Sequence, residues 1–446
     1  MGFRSRCRNG ALPLVSRPAI TVVIPTYNWS SALRCAIQSV LLQTEQNFEI
    51  MVVGDGCTDD SAQAVASFGD ARIRWHNLDR NYGSQWAANN YAIEHATSDW
   101  IAYLGHDDIW YPTHLEAILR AAREHNAEVV TSVMALYGPP ESGIRGIAGV
   151  FASGHYSAND FVPPSAFAHA KSIYGDGVKW QDPASVTLPM DALFMNQAAM
   201  AAKRFASTRE LTSFKFNAAW RRDSYKIKST DEQQRLLERI QSKIDFRPEE
   251  FVGIMEAVVS GKFLKIEMPA THGVEPGWFV RLNRKNKGSD SRFTASEMQR
   301  IDRKVGFDLS GQAMPFEWHA IEKHFRYGTF RWTGPSRHST IDLPVHFKAD
   351  LLIRIVVVNS LAPLETIRVL LRDKPLQSHI KKKLRRGFII EAVARIADFP
   401  PSDRDFGITL EIDATRRPCD LGIGSDGRWL GVAVARVELE PLAASR

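Results

Sequence analysis

The chain has 446 residues, a formal net charge of +6, 44% hydrophobic residues and 24% charged ones. That length exceeds what one hydrophobic core organises and predicts several domains, and the composition is that of a globular rather than a disordered chain. So small a charge, with acidic and basic residues interleaved, suits phosphate-bearing ligands or anionic surfaces; no nucleic-acid partner is expected from it.

The four cysteines, Cys7, Cys35, Cys57 and Cys419, show neither CxxC nor Cys/His spacing, which predicts free thiols in a reducing compartment and no structural zinc. No apolar run of about 18 residues occurs, nor a basic stretch followed by an apolar segment, so neither a membrane span nor a secretory leader is expected and cytoplasmic residence follows. The opening Met-Gly-Phe-Arg-Ser-Arg lacks the Ser or Thr that myristoylation wants where Arg6 stands.

In chain order, Ile20-Thr-Val-Val-Ile24 is a β-branched run closed by Pro25, and residues 30–42 carry apolar positions at helical spacing. Residues 48–53 form a second strand, 54–61 a Gly/Asp loop and 62–68 a short helix. A strand over 72–76, a helix over 85–96 and a strand over 100–104 follow. This alternation predicts a parallel, Rossmann-like α/β sheet. Ligands of such sheets bind beyond the carboxyl ends of the strands, so Pro25-Thr-Tyr-Asn28, Gly54-Asp-Gly-Cys-Thr-Asp-Asp60 and Gly105-His-Asp-Asp108 are expected to line one crevice.

Residues 129–136 read as another strand and the Gly/Pro-rich stretch 138–154 as a loop or hairpin. Helical spacing over 190–204 and 231–260 predicts a mainly helical middle segment, and the polar, basic stretch 283–290 a flexible connector or lid. Beyond it, 350–359, 366–371, 387–396, 407–413 and 429–439 are β-rich runs between turns, which predicts a C-terminal β-sandwich. The division expected is 18–225, 226–320 and 321–446, with the last boundary between Arg300 and Leu343.

Asp107 and Asp108 follow a buried strand, where an unpaired pair of carboxylates repels and is costly to desolvate. A hard cation such as magnesium relieves that cost and binds substrate phosphates as well. Taken alone, Asp-Asp reads first as the cap of a helix with Pro112 just inside it. Asp55, between two glycines at a strand end, is placed to accept hydrogen bonds from a base or ribose, whereas Asp59 and Asp60 suit the start of the following helix. Tyr27 either stacks on a base or packs. Arg80-Asn-Tyr-Gly83 and Asn89-Asn90 bring polar groups to the crevice or form a turn and a helix surface.

Together, Val22-Val-Ile-Pro-Thr-Tyr-Asn28, Val52-Val-Gly-Asp-Gly-Cys-Thr-Asp-Asp-Ser61, Asn81-Tyr-Gly83 and Leu104-Gly-His-Asp-Asp108 resemble, in order and spacing, the family 2-type glycosyltransferases of GT-A fold, over roughly residues 20–135. The resemblance implies inverting, metal-assisted transfer from a nucleoside diphosphate sugar, with Mg2+ or Mn2+ as cofactor. It places Pro25, Thr26, Tyr27, Asn28, Asp55, Asn81, Gly83 and Asp107 on the donor, and Asp107 and Asp108 at the metal. The chain departs from the pattern at Gly54 and Gly105, where the family commonly has Asp; His106 is read as filler, since hard cations prefer oxygen. An inverting transfer needs a base near the acceptor hydroxyl. Trp180-Gln-Asp-Pro183 and Leu188-Pro-Met-Asp191 resemble the family's acceptor segment, which makes Asp191 the expected base and Asp182 the fallback, with Trp180 either an acceptor wall or core.

The resemblance further implies a glycan or lipid-linked acceptor, bacterial surface polysaccharide synthesis and possible peripheral membrane association. Lys381-Lys-Lys-Leu-Arg-Arg386 reads as a solvated turn sooner than as an interaction patch. Arg417-Pro-Cys-Asp-Leu-Gly422 and Asp426-Gly-Arg-Trp-Leu-Gly431 resemble a β-domain appended to some bacterial glycosyltransferases, in which Trp332 and Trp429 suit burial better than sugar stacking. A dinucleotide oxidoreductase and a P-loop enzyme lack their glycine motifs here. A metal-dependent nucleotidyltransferase and a non-catalytic carbohydrate-binding scaffold remain as alternatives.

Overall fold

The computed structural model describes residues 17–151, 155–157, 160–218, 221, 224–265, 293, 296–309, 317–325, 328–383, 387–399 and 406–442. Cys7, the myristoylation-like start, the connector 283–290 and Leu384, Arg385 and Arg386 lie outside them.

The N-terminal half alternates strand and helix as expected: β1 (Ile20–Thr26), α1 (Ser30–Leu41), β2 (Phe48–Gly54), α2 (Ser61–Ala66), β3 (Ile73–Asn77), α3 (Trp86–His95) and β4 (Trp100–Tyr103). β1 pairs in parallel with β2 on one side and β4 on the other, and β2 with β3. Every residue of β1 and β2 is buried, which is why both read as unbroken apolar runs rather than alternating ones. The chain then adds β5 (Ile109–Trp110), α4 (His114–Glu124), β6 (Val129–Tyr137), β7 (Arg145–Ala148), β8 (Phe167–Ala170), α5 (Ser172–Gly175), α6 (Met190–Met200) and β9 (Phe205–Phe216).

The ten-stranded sheet is mixed. Its path ends at β10 (Phe263–Lys265) on one side and β3 on the other, in the order β10-β7-β6-β8-β4-β1-β2-β3, with β9 paired to β5 and β6. The glycine-rich stretch after β6 is a hairpin, since β7 returns antiparallel to β6.

The pleat of β1 divides the core in two. Ile20, Val22 and Ile24 pack with Leu33, Ile37 and Val40 of α1 and Leu115 and Ile118 of α4. Val23 packs on the opposite face with Ala88, Ala92 and Ile93 of α3 and Phe194 and Met195 of α6. Helices therefore cover both faces of the sheet, and the strand ends carry the loops.

The middle segment is not uniformly helical. Between α6 and the helices α7 (Ser224–Ile227), α8 (Asp231–Ser242) and α9 (Phe246–Val259) runs the twelve-residue β9, parallel to β6 and antiparallel to β5. Leu236, Leu237 and Ile240 of α8 and Phe246 and Ile254 of α9 share a core with Leu211, Phe214 and Phe216 of β9. These helices are thus packed onto the N-terminal sheet.

The C-terminal part is a β-sandwich. One sheet runs through Gly328–Trp332, Val432–Pro441, Leu351–Ser360 and Gly387–Ala394, and the other through His338–Leu343, Phe406–Glu411 and Arg368–Leu371. Ile353, Ile355, Val357 and Ile390 from the first meet Ile341, Leu343, Ile408 and Leu410 from the second in one apolar core. Val305–Asp308 also joins the first sheet by pairing with Val432–Pro441, and Gln299–Arg300 forms a separate two-stranded sheet with Val345–His346.

Trp332 is buried among Val356, Val358 and Leu430. Trp429 donates its indole N–H to the Ser260 carbonyl at 3.1 Å, just past α9. The lysine cluster begins in the edge strand Ser378–Lys383, where lysines discourage pairing with another sheet. Cys35, Cys57 and Cys419 are free thiols. Among the described residues no helix is long and apolar enough to cross a membrane.

Candidate active site

A cavity of about 320 Å³ opens beyond the carboxyl ends of β1, β2 and β4, lined among others by Pro25, Thr26, Tyr27, Asp55, Asn81, Gly83, Asp107, Asp108 and Asp191. This is the crevice side expected for an open α/β sheet. Nine residues singled out from sequence, spread over 167 positions from Pro25 to Asp191, meet there.

The β2 and β3 loops are stitched together. Asp55 accepts the Tyr82 backbone N–H at 2.8 Å, and the Asn81 carboxamide takes the Gly83 N–H. Gly56 sits at φ +68°, where a Cβ would lie 2.5 Å from the Arg80 carbonyl carbon and 2.6 Å from the Asn81 nitrogen. Only glycine permits both the backbone conformation and that approach. Asn28 does not line the cavity: at φ 47° its side-chain oxygen accepts the N–H groups of Thr58 and Asp59 at 2.7 and 3.2 Å. It shapes the wall rather than forming it. Asp59 accepts from Ser30 and Ser61, fastening the starts of α1 and α2 as the helix-start reading expects.

The Asp pair does not cap a helix. Two residues of strand, β5, follow it directly, and α4 begins only at His114 with Thr113 in front. The pair also divides. Asp108 is fully buried and accepts from Ser165 Oγ at 2.6 Å and from Lys215 Nζ at 3.1 Å. Its carboxylate thus has protein partners as well as a place on the cavity wall. Asp107 also lines the cavity, and its backbone oxygen accepts from Gln233 at 3.2 Å.

Among the described residues no group of three His, Cys, Asp or Glu is arranged to hold a metal alone. A magnesium-like ion shared between Asp107 and substrate phosphate oxygens needs no such cage, so the donor set fits a metal brought in with a diphosphate. His106 also lines the cavity: its Nδ1 lies 3.2 Å from the Pro25 carbonyl and its ring packs against Trp29 and Tyr225.

Lys215, on β9, escaped the sequence reading. Burial alone would lower its basicity, but Asp108 and Asp107 reverse the effect and hold the ammonium protonated. The available signal was the alternation Leu211-Thr-Ser-Phe-Lys-Phe216, hidden because the flanking segments are helical. Tyr225, from α7, also lines the cavity; burial and the two aspartates keep it a neutral phenol.

Asp191 lies in the first turn of α6 and accepts the Ala192 N–H at 2.9 Å. Burial raises its carboxyl to about 6, against the pull of that bond and of Lys215. It is the one aspartate of the acceptor-like segment on the cavity. Asp182 instead caps a 3-10 turn by accepting from Ala184 and is exposed.

Trp180 is a core residue: 2% exposed, it donates to the Tyr103 hydroxyl at 3.0 Å and stacks on Phe194 at 4.8 Å. The aromatic cluster that buries it rules out an acceptor wall. Asn90 braces it, exchanging bonds with its backbone N–H and carbonyl, and Asn89 is buried in α3.

Residues 21–154 match the family model described as Glycosyl transferase family 2. An uncharacterized glycosyltransferase of Rickettsia typhi is 36% identical over 99 residues, 22% of this chain and 30% of that protein. The UDP-Glc:alpha-D-GlcNAc-diphosphoundecaprenol beta-1,3-glucosyltransferase of Escherichia coli is 33% identical over 107 residues, 24% of this chain and 42% of that one. The chain spans 14% to 30% of the length of the Rickettsia glycosyltransferases it matches. Among solved structures, S. aureus TarS 1-349 in complex with UDP-GlcNAc shares 16% identity over 53% of this chain and 80% of its own, with a TM-score of 0.38, too remote to carry weight. The matched motifs and the mixed sheet that carries them agree: residues 21–154 of this chain form a family 2 glycosyl transferase domain.

Proposed function

We propose that the protein transfers a sugar from a nucleoside diphosphate sugar to a hydroxyl acceptor with inversion at the anomeric carbon. The observation that carries this is the convergence of Tyr27, Asp55 and Asn81 with Asp107 and Asp191 in one cavity. Asp55 and Tyr27 suit the nucleoside, as hydrogen-bond acceptor and stacking face. Asp107 suits a divalent cation, Mg2+ or Mn2+, shared with the diphosphate; when bound, the ion offsets charge developing on the leaving group.

Asp191 is the base. In the ionised form it accepts the proton of the acceptor hydroxyl while the acceptor oxygen bonds to the anomeric carbon. The bond from that carbon to the diphosphate oxygen breaks, and its electron pair leaves with the nucleoside diphosphate. The Escherichia coli relative acts on a diphosphoundecaprenol-linked sugar, which supports a lipid-linked acceptor at the cytoplasmic membrane face, in surface polysaccharide assembly.

Calorimetric titration of UDP, GDP and dTDP, with and without Mn2+, tests the donor assignment on wild type and Asp107→Ala. The expected result is one nucleotide whose binding Mn2+ strengthens in the wild type and not in the variant. Absence of binding by all three would leave a non-catalytic domain. Release of pyrophosphate rather than a nucleoside diphosphate during turnover would identify a nucleotidyltransferase.

A further inference from the structure

Among the described residues, the charged side chains lining the cavity are four carboxylates, Asp55, Asp107, Asp108 and Asp191, and one cation, Lys215. A diphosphate entering such a wall meets mostly like charge, so each cation within reach counts for more than in a neutral pocket.

The position of Lys215 is set by strand register. Ile109 pairs with Phe214 and Trp110 with Ser213, and the same antiparallel register carried one residue further puts Asp108 opposite Lys215. Phe214 and Phe216 point into the apolar core, so the alternation of the strand turns Lys215 to the cavity side. Its Nζ lies 3.1 and 3.3 Å from the two Asp108 oxygens, and Ser165 holds the same carboxylate from behind. An ammonium has three donors; Asp108 occupies two at most, and the Lys215 side chain keeps 22% of its surface exposed.

We propose that Lys215, fixed in place by Asp108, binds the diphosphate of the donor and stays on it as the nucleoside diphosphate leaves. This rests on the nucleotide-sugar reading of the cavity. In the transfer the electron pair of the anomeric carbon–oxygen bond moves onto the terminal phosphate, and Lys215 faces the added negative charge without giving up a proton. Part of the charge neutralisation is thereby built into the chain and needs no metal.

Calorimetry on the full chain in EDTA tests it, with UDP, GDP and dTDP each compared with its own nucleoside. In the wild type the preferred diphosphate binds at least about tenfold tighter than its nucleoside without metal. Lys215→Arg retains the difference. The double variant Lys215→Met with Asp108→Asn, which removes both charges of the pair together, loses it while binding the nucleoside as before; that unchanged nucleoside affinity certifies the fold.

Equal binding of nucleoside and diphosphate by the wild type in EDTA would overturn the proposal without any variant, as would a double variant that keeps the difference. Diphosphate binding that appears only with Mn2+ overturns the role of Lys215 and leaves the transferase reading standing. No binding of nucleoside or nucleotide under either condition removes both.

Discussion

The Tyr82 backbone N–H donates to Asp55 Oδ1 at 2.8 Å, joining the loop after β3 to the loop after β2 at the mouth of the cavity. One carboxylate thus serves two ends, the loop that carries Asn81 and the proposed nucleoside.

Asp55→Ala removes both, and Asp55→Asn keeps an acceptor for Tyr82 while losing the charge. A hydrogen bond to a charged group contributes about 1.5–3 kcal/mol, so the alanine variant should bind the preferred nucleoside about 10- to 100-fold more weakly, and the asparagine variant should fall between it and wild type. Calorimetry with the nucleoside reads this directly. Unchanged affinity in Asp55→Ala would remove Asp55 from the binding site.

The adjacent aspartates should separate by phenotype. Asp107 faces the cavity and carries little structural burden, so Asp107→Ala is expected to melt near wild type and to lose the Mn2+-dependent gain in nucleotide binding. Asp108 is fully buried against Lys215 and Ser165, and removing one partner of a buried pair costs about 3–5 kcal/mol. Asp108→Ala should therefore lower the melting temperature by several degrees. Thermal scans set beside titrations decide it: a stable Asp108→Ala that loses only metal response would make that residue a metal ligand.

The stretch from β1 to β4 was legible because β1 and β2 are short and buried along their whole length, the one closing on Pro25-Thr26 and the other running into a Gly/Asp loop. Sequence separated the site residues from the scaffold less well. Trp180 and Asp182 lie beside a true cavity residue, Pro183, yet one is core and the other caps a turn; nothing in Trp-Gln-Asp-Pro tells which side chain turns inward. Lys215 was invisible for a different reason. Its importance comes from a strand register with residues more than a hundred positions earlier, which no local period encodes.

Gly105 stands where the family commonly has Asp. A Cβ there would lie 2.9 Å from Asp108 Oδ2 and 3.1 Å from Asp107 Oδ1, too close for the Asp108 carboxylate, which Ser165 and Lys215 hold in place. Restoring the familiar residue should therefore harm this protein: Gly105→Asp is expected to lose metal-dependent nucleotide binding and to melt below wild type, with Gly105→Ala showing a smaller share of both. A Gly105→Asp protein with tighter Mn2+ binding and unchanged melting would show that the loop accommodates the third carboxylate.

Asp191 gives a prediction on two axes. Its carboxyl is raised to about 6, chiefly by burial, and the base must be ionised, so kcat/KM should fall as pH drops through about 6. Asp191→Asn should lose about 10²- to 10⁴-fold in rate, the usual contribution of a general base. Stability moves oppositely. Below the ordinary Asp value of 3.8 the folded and unfolded chains both hold the proton. Between there and about 6 only the folded chain does, so the stability linked to Asp191 declines as pH rises through that window. Above it the half-buried, partly desolvated charge is a standing cost that asparagine does not bear. Asp191→Asn should then melt above wild type at pH 7.5, and the gap should close toward pH 4. Melting curves at three pH values beside the pH–rate profile test both, and a variant that melts no higher than wild type at pH 7.5 would show that Asp191 is held in place by favourable contacts instead of being a costly, partly desolvated base.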